Sequence, residues 1–196
     1  MANKSLAKSP TELTILVTGG AGFIGSHTCV ELLAKGFNVV IVDDLSNSSE
    51  VAVERVRKIA GVGADRCAFH EANVLDRDAM EAIFSEYDVD AIIHFAGFKA
   101  VGESVRKPLE YYWNNIAGTL VLCDVARNHG VKNIVFSSSA TVYGEPEFVP
   151  ITEDCPKHSA TNPYGQTKTM LEQVLTDLYV GDNEWNVVLL RYFNPI

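Results

Sequence analysis

Tyr164 and Lys168 stand four residues apart, in a segment whose start is marked by Asn162-Pro163. Asparagine caps a helix and proline fits its first turn, so residues 163–180 read as a helix, stopped at Gly181. At that spacing the two side chains share one helix face. A phenol is a poor base near neutral pH because its pKa is about 10. A neighbouring ammonium favours the phenolate and lowers that value, which makes Tyr164 a candidate general base and Lys168 its activator. Ser139 closes the apolar run before them, where its hydroxyl could hydrogen-bond a substrate hydroxyl or relay its proton. A Tyr-x-x-x-Lys pair alone is common. It gains weight from a second stretch near the start of the chain.

That stretch is Thr18-Gly19-Gly20-Ala21-Gly22-Phe23-Ile24-Gly25. An apolar, β-branched run over 13–17 precedes it, and an amphipathic run over 24–35, closed by Gly36, follows. The glycines therefore sit on a strand-to-helix turn. There a Cβ would hold the backbone away from a phosphate, and the helix start offers free N–H groups to a pyrophosphate. Gly19, Gly22 and Gly25 match the spacing of a dinucleotide site, with Gly25 allowing close helix packing. The next strand, 38–42, ends at Asp43-Asp44, 18 residues past Gly25. A carboxylate there accepts hydrogen bonds from the adenosine ribose hydroxyls and repels a 2′-phosphate, so the expected cofactor is NAD. Its nicotinium ring would be a second influence lowering the pKa of Tyr164.

The elements that must position these groups alternate in type along the chain. Strands are expected at 13–17, 38–42, 66–71, 91–95, 133–136 and 186–190. Between them come helices at 24–35, 50–59 and 76–87, and a long one from Pro108 to Gly130, with Leu109, Tyr112, Ile116, Leu120 and Cys123 at helical spacing. Residues 45–49 read as a polar loop capping the second helix, 98–103 as a loop carrying Lys99, and 143–161 as a long loop of the kind that contacts substrates. The alternation predicts an α/β fold, a doubly wound parallel sheet with helices on both faces. Ligands in such sheets sit at the carboxyl ends of the strands. Gly19, Asp43, Asn73, Ala96-Gly97, Ser139 and Tyr192 all fall there. Residues 1–12 read as a disordered tail and 13–196 as one domain.

Composition narrows the partners. The 196 residues are 47% apolar, enough for a substantial core. A net charge of -9 argues against nucleic acid or an anionic membrane as partner. No apolar run approaches the ~20 residues of a membrane span, and the start lacks a signal-peptide core. Cys29, Cys67, Cys123 and Cys155 have no CxxC spacing, and the five histidines form no cluster with them, so no metal is expected. A reducing, cytoplasmic setting is expected.

The glycine turn, Ser139 and Tyr164-Gly165-Gln166-Thr167-Lys168 resemble the extended short-chain dehydrogenase/reductase superfamily, whose cofactor domain is the Rossmann fold. Within it, the strings His94-Phe95-Ala96-Gly97-Phe98-Lys99-Ala100-Val101-Gly102-Glu103-Ser104, Ser137-Ser138-Ser139-Ala140-Thr141-Val142-Tyr143-Gly144 and Leu190-Arg191-Tyr192-Phe193-Asn194-Pro195 resemble the UDP-sugar 4-epimerases. The resemblance implies that Phe23 and Ile24 approach the pyrophosphate through their backbone. It implies that Asp43, Asp44, Leu45, Ser46, Asn47 and Ser48 hold the adenosine side, with Asn73 and Val74 flanking adenine. Phe95, Ala96, Gly97, Phe98 and Lys99 would line the cofactor, Asn114 would help hold it, and Phe193 would lie beside the nicotinamide. Lys99, Ser139, Thr141, Tyr164 and Asn194 would meet the UDP-sugar. The family often has Asp where Asn73 stands and Asn where Asp44 stands.

The implied reaction interconverts UDP-galactose and UDP-glucose. Tyr164 takes the 4-hydroxyl proton, the C4 hydride passes to NAD, and the 4-keto sugar turns over and receives the hydride on its other face. The resemblance also implies a homodimer through the helices starting near Pro108 and Pro163, and a carboxyl-terminal substrate domain that is missing after Ile196. Two other readings stay open: a module that binds NAD without turnover, and another sugar-nucleotide enzyme such as a 4,6-dehydratase, which would need an acid near Ser139.

Overall fold

Apolar runs with no polar alternation belong to strands covered on both faces, and β1 (Thr14–Thr18) is of this kind. In the computed structural model, which describes residues 8–157 and 160–195, Leu16 and Val17 on this strand are both fully buried and point to opposite faces. Around it lie β2 (Asn38–Asp43), β3 (Cys67–Glu71), β4 (Ala91–His94), β5 (Asn133–Ser139) and β6 (Asn186–Tyr192), all parallel, in the order β3-β2-β1-β4-β5-β6. The order reverses between β1 and β4, which opens a crevice at their carboxyl ends.

Helices α1 (Phe23–Ala34) and α2 (Glu50–Ala60) cover one face, where Cys29, Leu33, Val53 and Val56 pack with Val17 and Ile41. On the other face Met80, Leu122 and Leu171 pack with Leu16, Ile92 and Ile134. They come from α3 (Arg77–Glu86), α6 (Gly118–Asn128) and α7 (Pro163–Gly181). All four cysteines are buried free thiols. Of the expected tail, residues 1–7 lie outside the described residues. Pro10–Glu12 forms a short 3₁₀ turn, and Lys8 pairs with Asp90 at 2.7 Å.

Three departures from the sequence expectation bear on the site. First, β5 runs on to Ser139 and β6 to Tyr192, because the ladder continues through Ser137↔Leu190 and Ser139↔Tyr192 after β5 has left its apolar run. Second, part of the expected loop is helix α4 (Val101–Arg106). Third, the helix from Pro108 is not uniform. It comprises α5 (Pro108–Tyr112), a π-helical turn at Trp113–Ala117, and α6. The expected apolar stripe is therefore not the buried one: Leu109 is 74% exposed and Leu120 46%, while Tyr111, Asn115, Thr119 and Leu122 face inward. The inward face meets polar partners on β4 and the segment after it, and this selects polar side chains there.

Candidate functional site

The glycine turn joins β1 to α1. Gly19 has φ +69°, and a Cβ on it would lie 2.6 Å from the Ala96 nitrogen. A Cβ on Gly25 would lie 2.3 Å from the Gly19 carbonyl oxygen, so glycine alone lets α1 start against the turn. Gly22, the N-cap of α1, is different: a Cβ there would meet only the Gly19 oxygen, at 3.2 Å. Internal packing barely constrains that position. Its bareness fits a helix start kept open for an anion.

Asp43 closes β2 beside this turn and is 8% exposed. Its carboxylate accepts from the Ala21 N–H (3.0 Å), the Leu45 N–H (3.0 Å) and the Ser48 hydroxyl (2.7 Å). Leu45 reaches this geometry at φ +55°, with its side chain packed on the α1–α2 core. Asp44 accepts from the Ser46 N–H at 3.0 Å and from Asn73 Nδ2 at 2.8 Å. Asn73 in turn accepts the Leu75 N–H on its Oδ1, at 2.9 Å. The Asp44–Asn73 order is thus joined by one amide-to-carboxylate hydrogen bond.

The other half of the site is built on β5 and α7. Asn162 Oδ1 caps α7 by accepting the Gly165 N–H at 2.9 Å, and Pro163 follows at the first position. Lys168 is buried. Its Nζ donates to the Ser137 carbonyl at 2.6 Å and lies 4.6 Å from the Phe136 ring centroid and 5.9 Å from that of Tyr164. Burial pushes its pKa down to about 8. The Tyr164 hydroxyl is shifted upward by burial, while the Ser139 hydroxyl pulls it down in part. This corrects the sequence argument. The ammonium does not by itself bring the phenol toward neutrality, because it is drawn to the Ser137 carbonyl and the phenol loses water on burial.

Beneath this corner His94 is fully enclosed between threonines. The Thr119 hydroxyl donates to the Asn115 carbonyl at 2.7 Å, so it accepts from His94 Nε2–H at 2.9 Å. Thr18 then donates to Nδ1 at 2.6 Å. Burial, with the nearby Lys168 charge, pushes the His94 pKa down to about 3 and keeps the ring neutral.

Glu172 lies one turn past Lys168 and is fully buried. It accepts from Ser138 Oγ (2.6 Å), Arg191 Nε (2.9 Å), Arg191 Nη2 (2.9 Å) and Lys157 Nζ (3.2 Å). Burial alone would raise its pKa, but these donors outweigh burial and leave it lowered. Arg191 also donates to the Tyr143 hydroxyl at 2.8 Å.

The sequence-predicted residues gather at one cleft of about 520 Å³ across the carboxyl ends of the strands, within the roughly 300–1,000 Å³ usual for small-molecule sites. Gly19, Gly22, Phe23, Ile24, Gly25, Asp43, Asp44, Ser46, Asn47, Asn73 and Val74 line its β1–β2 side. Phe95 to Lys99, Asn114, Ser139, Thr141, Tyr164, Lys168, Phe193 and Asn194 line the rest. Leu45 and Ser48 do not line it; they serve it by holding Asp43. Thr141 Oγ1 is buried, with no hydrogen-bond partner among the described residues. Sequence reasoning passed over Asn115, Thr167, Glu172 and Arg191. The available signal for Glu172 was its place at the third step of a four-residue spacing from Tyr164 through Lys168. Among the described residues no group of His, Cys, Asp or Glu could hold a metal ion, and no helix is long and apolar enough to cross a membrane.

The model of the NAD dependent epimerase/dehydratase family matches residues 15–196. The chain belongs to that family. Within this family, it is 62% identical over 183 residues to the UDP-glucose 4-epimerase of Bacillus subtilis, covering 93% of this chain and 53% of the relative. Identity to the Haemophilus influenzae UDP-glucose 4-epimerase is 55% over 184 residues, 94% of this chain and 54% of that one. Among solved structures, the Bifidobacterium longum UDP-glucose 4-epimerase in complex with NAD+ and UDP superposes with a TM-score of 0.91 at 55% identity, covering 93% of this chain and 54% of that one. The chain thus spans about half the length of the relatives it matches.

Proposed function

We propose that this chain is the cofactor-binding part of a UDP-glucose 4-epimerase that interconverts UDP-galactose and UDP-glucose with bound NAD. The observation that carries the proposal is the meeting of Ser139, Tyr164 and Lys168 with the glycine turn and Asp43 in one cleft. Asp43 keeps its charge among neutral donors and is placed for ribose hydroxyls, while the bare Gly22 leaves the α1 start to the pyrophosphate. NAD, when bound, supplies the acceptor for the C4 hydride and returns it to the opposite face. Tyr164 takes the proton of the sugar 4-hydroxyl, directly or through Ser139. Lys168 holds positive charge beneath that phenol. The unpartnered Thr141 hydroxyl is available to the sugar. Lys99 at the cleft wall suits the phosphates, Phe193 the nicotinamide and Asn194 the UDP-sugar.

A 4,6-dehydratase is disfavoured by the absence of a free acid beside Ser139. The acids lining the cleft are Asp43 and Asp44, on the far side, and the nearby Glu172 is taken up by Ser138, Arg191 and Lys157. The proposal extends to a homodimer, supported by the exposed apolar side chains Val105, Leu109, Trp113 and Leu120 along α4 to α6. It also extends to a cytoplasmic setting, supported by the four free thiols.

The test is conversion of UDP-galactose to UDP-glucose by the purified chain, with bound nicotinamide absorbance followed in the same sample. Tyr164→Phe should lower turnover by at least about a hundredfold, the scale of a lost general base, with NAD still bound. Equal loss of both would sink the role given to Tyr164. NAD binding without any conversion by the unmodified chain would favour the binding module.

A further inference from the structure

Asn115 is 3% exposed, yet its side chain lines no part of the cleft. It sits on the π-helical turn, and its carboxamide is used at both ends. Oδ1 accepts the Phe98 N–H at 2.8 Å, and Nδ2 donates to the Phe98 carbonyl at 3.0 Å. This is the pairing a neighbouring strand would offer, supplied to one loop residue by a side chain. The second Nδ2 proton goes to Thr167 Oγ1 at 3.1 Å, and the Thr167 hydroxyl donates to the Tyr164 carbonyl at 2.7 Å. Asn114 Nδ2 also donates to Asn115 Oδ1, at 3.1 Å. Gly97, at φ +152°, passes so close that a Cβ on it would lie 3.2 Å from Asn115 Oδ1. The segment carrying Gly97, Phe98 and Lys99 has left β4 and its ladder, so this amide takes the place of sheet pairing.

We propose that Asn115 is a positioning residue for the cofactor, holding the segment 96–99 at the height the nicotinamide half requires and tying it to the turn of α7 that carries Tyr164. This rests on the reading of the cleft as an NAD site. The strand order divides the two halves of the ligand. The adenosine half falls on the β2 side, with Asp43, Asp44 and Asn73, and the nicotinamide half on the β4–β5 side, across the reversal at β1. Asn115 touches only the second side. A residue that merely supports the fold would affect both halves alike.

The experiment measures the affinity of the purified chain for NAD+ and for AMP by calorimetry, with the melting temperature of each variant alongside. Asn115→Asp keeps size and shape and still accepts from Phe98, but faces the Phe98 carbonyl and Thr167 with an oxygen. It should bind NAD+ about tenfold more weakly, the scale of one or two buried hydrogen bonds, and bind AMP as the unmodified chain does. Thr167→Val removes one contact at similar volume and serves if Asn115→Asp does not fold. Its NAD+ affinity should fall about threefold with AMP unchanged. Unaltered NAD+ binding in a folded variant, or parallel losses for NAD+ and AMP, overturns the inference. An unmodified chain that binds AMP but not NAD+ overturns the cofactor reading itself.

Discussion

The two sides of the cleft bury charge in opposite ways. On the β1–β2 side Asp43 is held by two backbone N–H groups and a hydroxyl, all neutral. On the β5–α7 side Glu172 is held by Arg191 and Lys157, with Ser138 completing its shell, and it is wholly withdrawn from the cleft. Beside it Lys168 has the reverse arrangement, a cation held by a carbonyl and a ring. The difference separates groups that meet a ligand from groups that hold the fold. Asp43 and Lys168 keep a charge that dipoles support without cancelling. Glu172 is cancelled, so it anchors α7 to β5, β6 and the 144–162 loop.

The largest way to break this contrast is at Glu172. Glu172→Gln leaves Arg191 with its guanidinium partner neutralised in a site that is only 19% exposed at the Arg191 side chain. Stability to urea should fall by about 3–5 kcal/mol, the cost of breaking a buried pair from one side. Asp43→Asn tests the opposite side. It should cost the fold only about 1 kcal/mol, since the amide oxygen still accepts, but weaken NAD+ affinity by about ten- to a hundredfold through the lost charge-assisted bonds. Similar unfolding losses in the two variants would erase the distinction.

The smallest effect carries the reverse sign. Lys168→Met removes a buried cation whose pKa is pushed down to about 8. The folded state holds that proton less well than the unfolded state, so the unmodified chain carries a penalty below about pH 8 that lifts as pH rises through that value. The methionine variant should be more stable near pH 7 by about 1–2 kcal/mol, lack that rise, and be inactive. A drop in its melting temperature at pH 7 would show that Lys168 also serves the fold.

Much of this was legible in the sequence, for physical reasons. The parallel strands read as apolar runs because both faces are covered. The glycine turn read clearly because three positions exclude a side chain by contact or keep room for a ligand. Asp43, Ser139, Tyr164 and Lys168 followed, because chemistry in such a sheet collects at one edge. What escaped depends on tertiary partners. Asn115 looks like any helical asparagine until Phe98 is set beside it. Arg191 and Glu172 lie 19 residues apart, and only the pairing of β6 with β5 brings them together. The stripe from Leu109 to Cys123 misled because uniform helical periodicity was applied to a segment that is not uniform.

That segment also bears on how the chain can vary in length. The π-helical turn at Trp113–Ala117 holds one residue more than an α-helix would need. Removing a residue there would restore regular winding and turn everything after it by about 100°. Thr119 would swing away from His94, and Gly118, whose missing Cβ leaves 2.8 Å to a Val74 methyl, would be replaced at that contact by a side chain. Insertions and deletions of a single residue are therefore barred from this helix, although its outer surface tolerates a free choice of side chains.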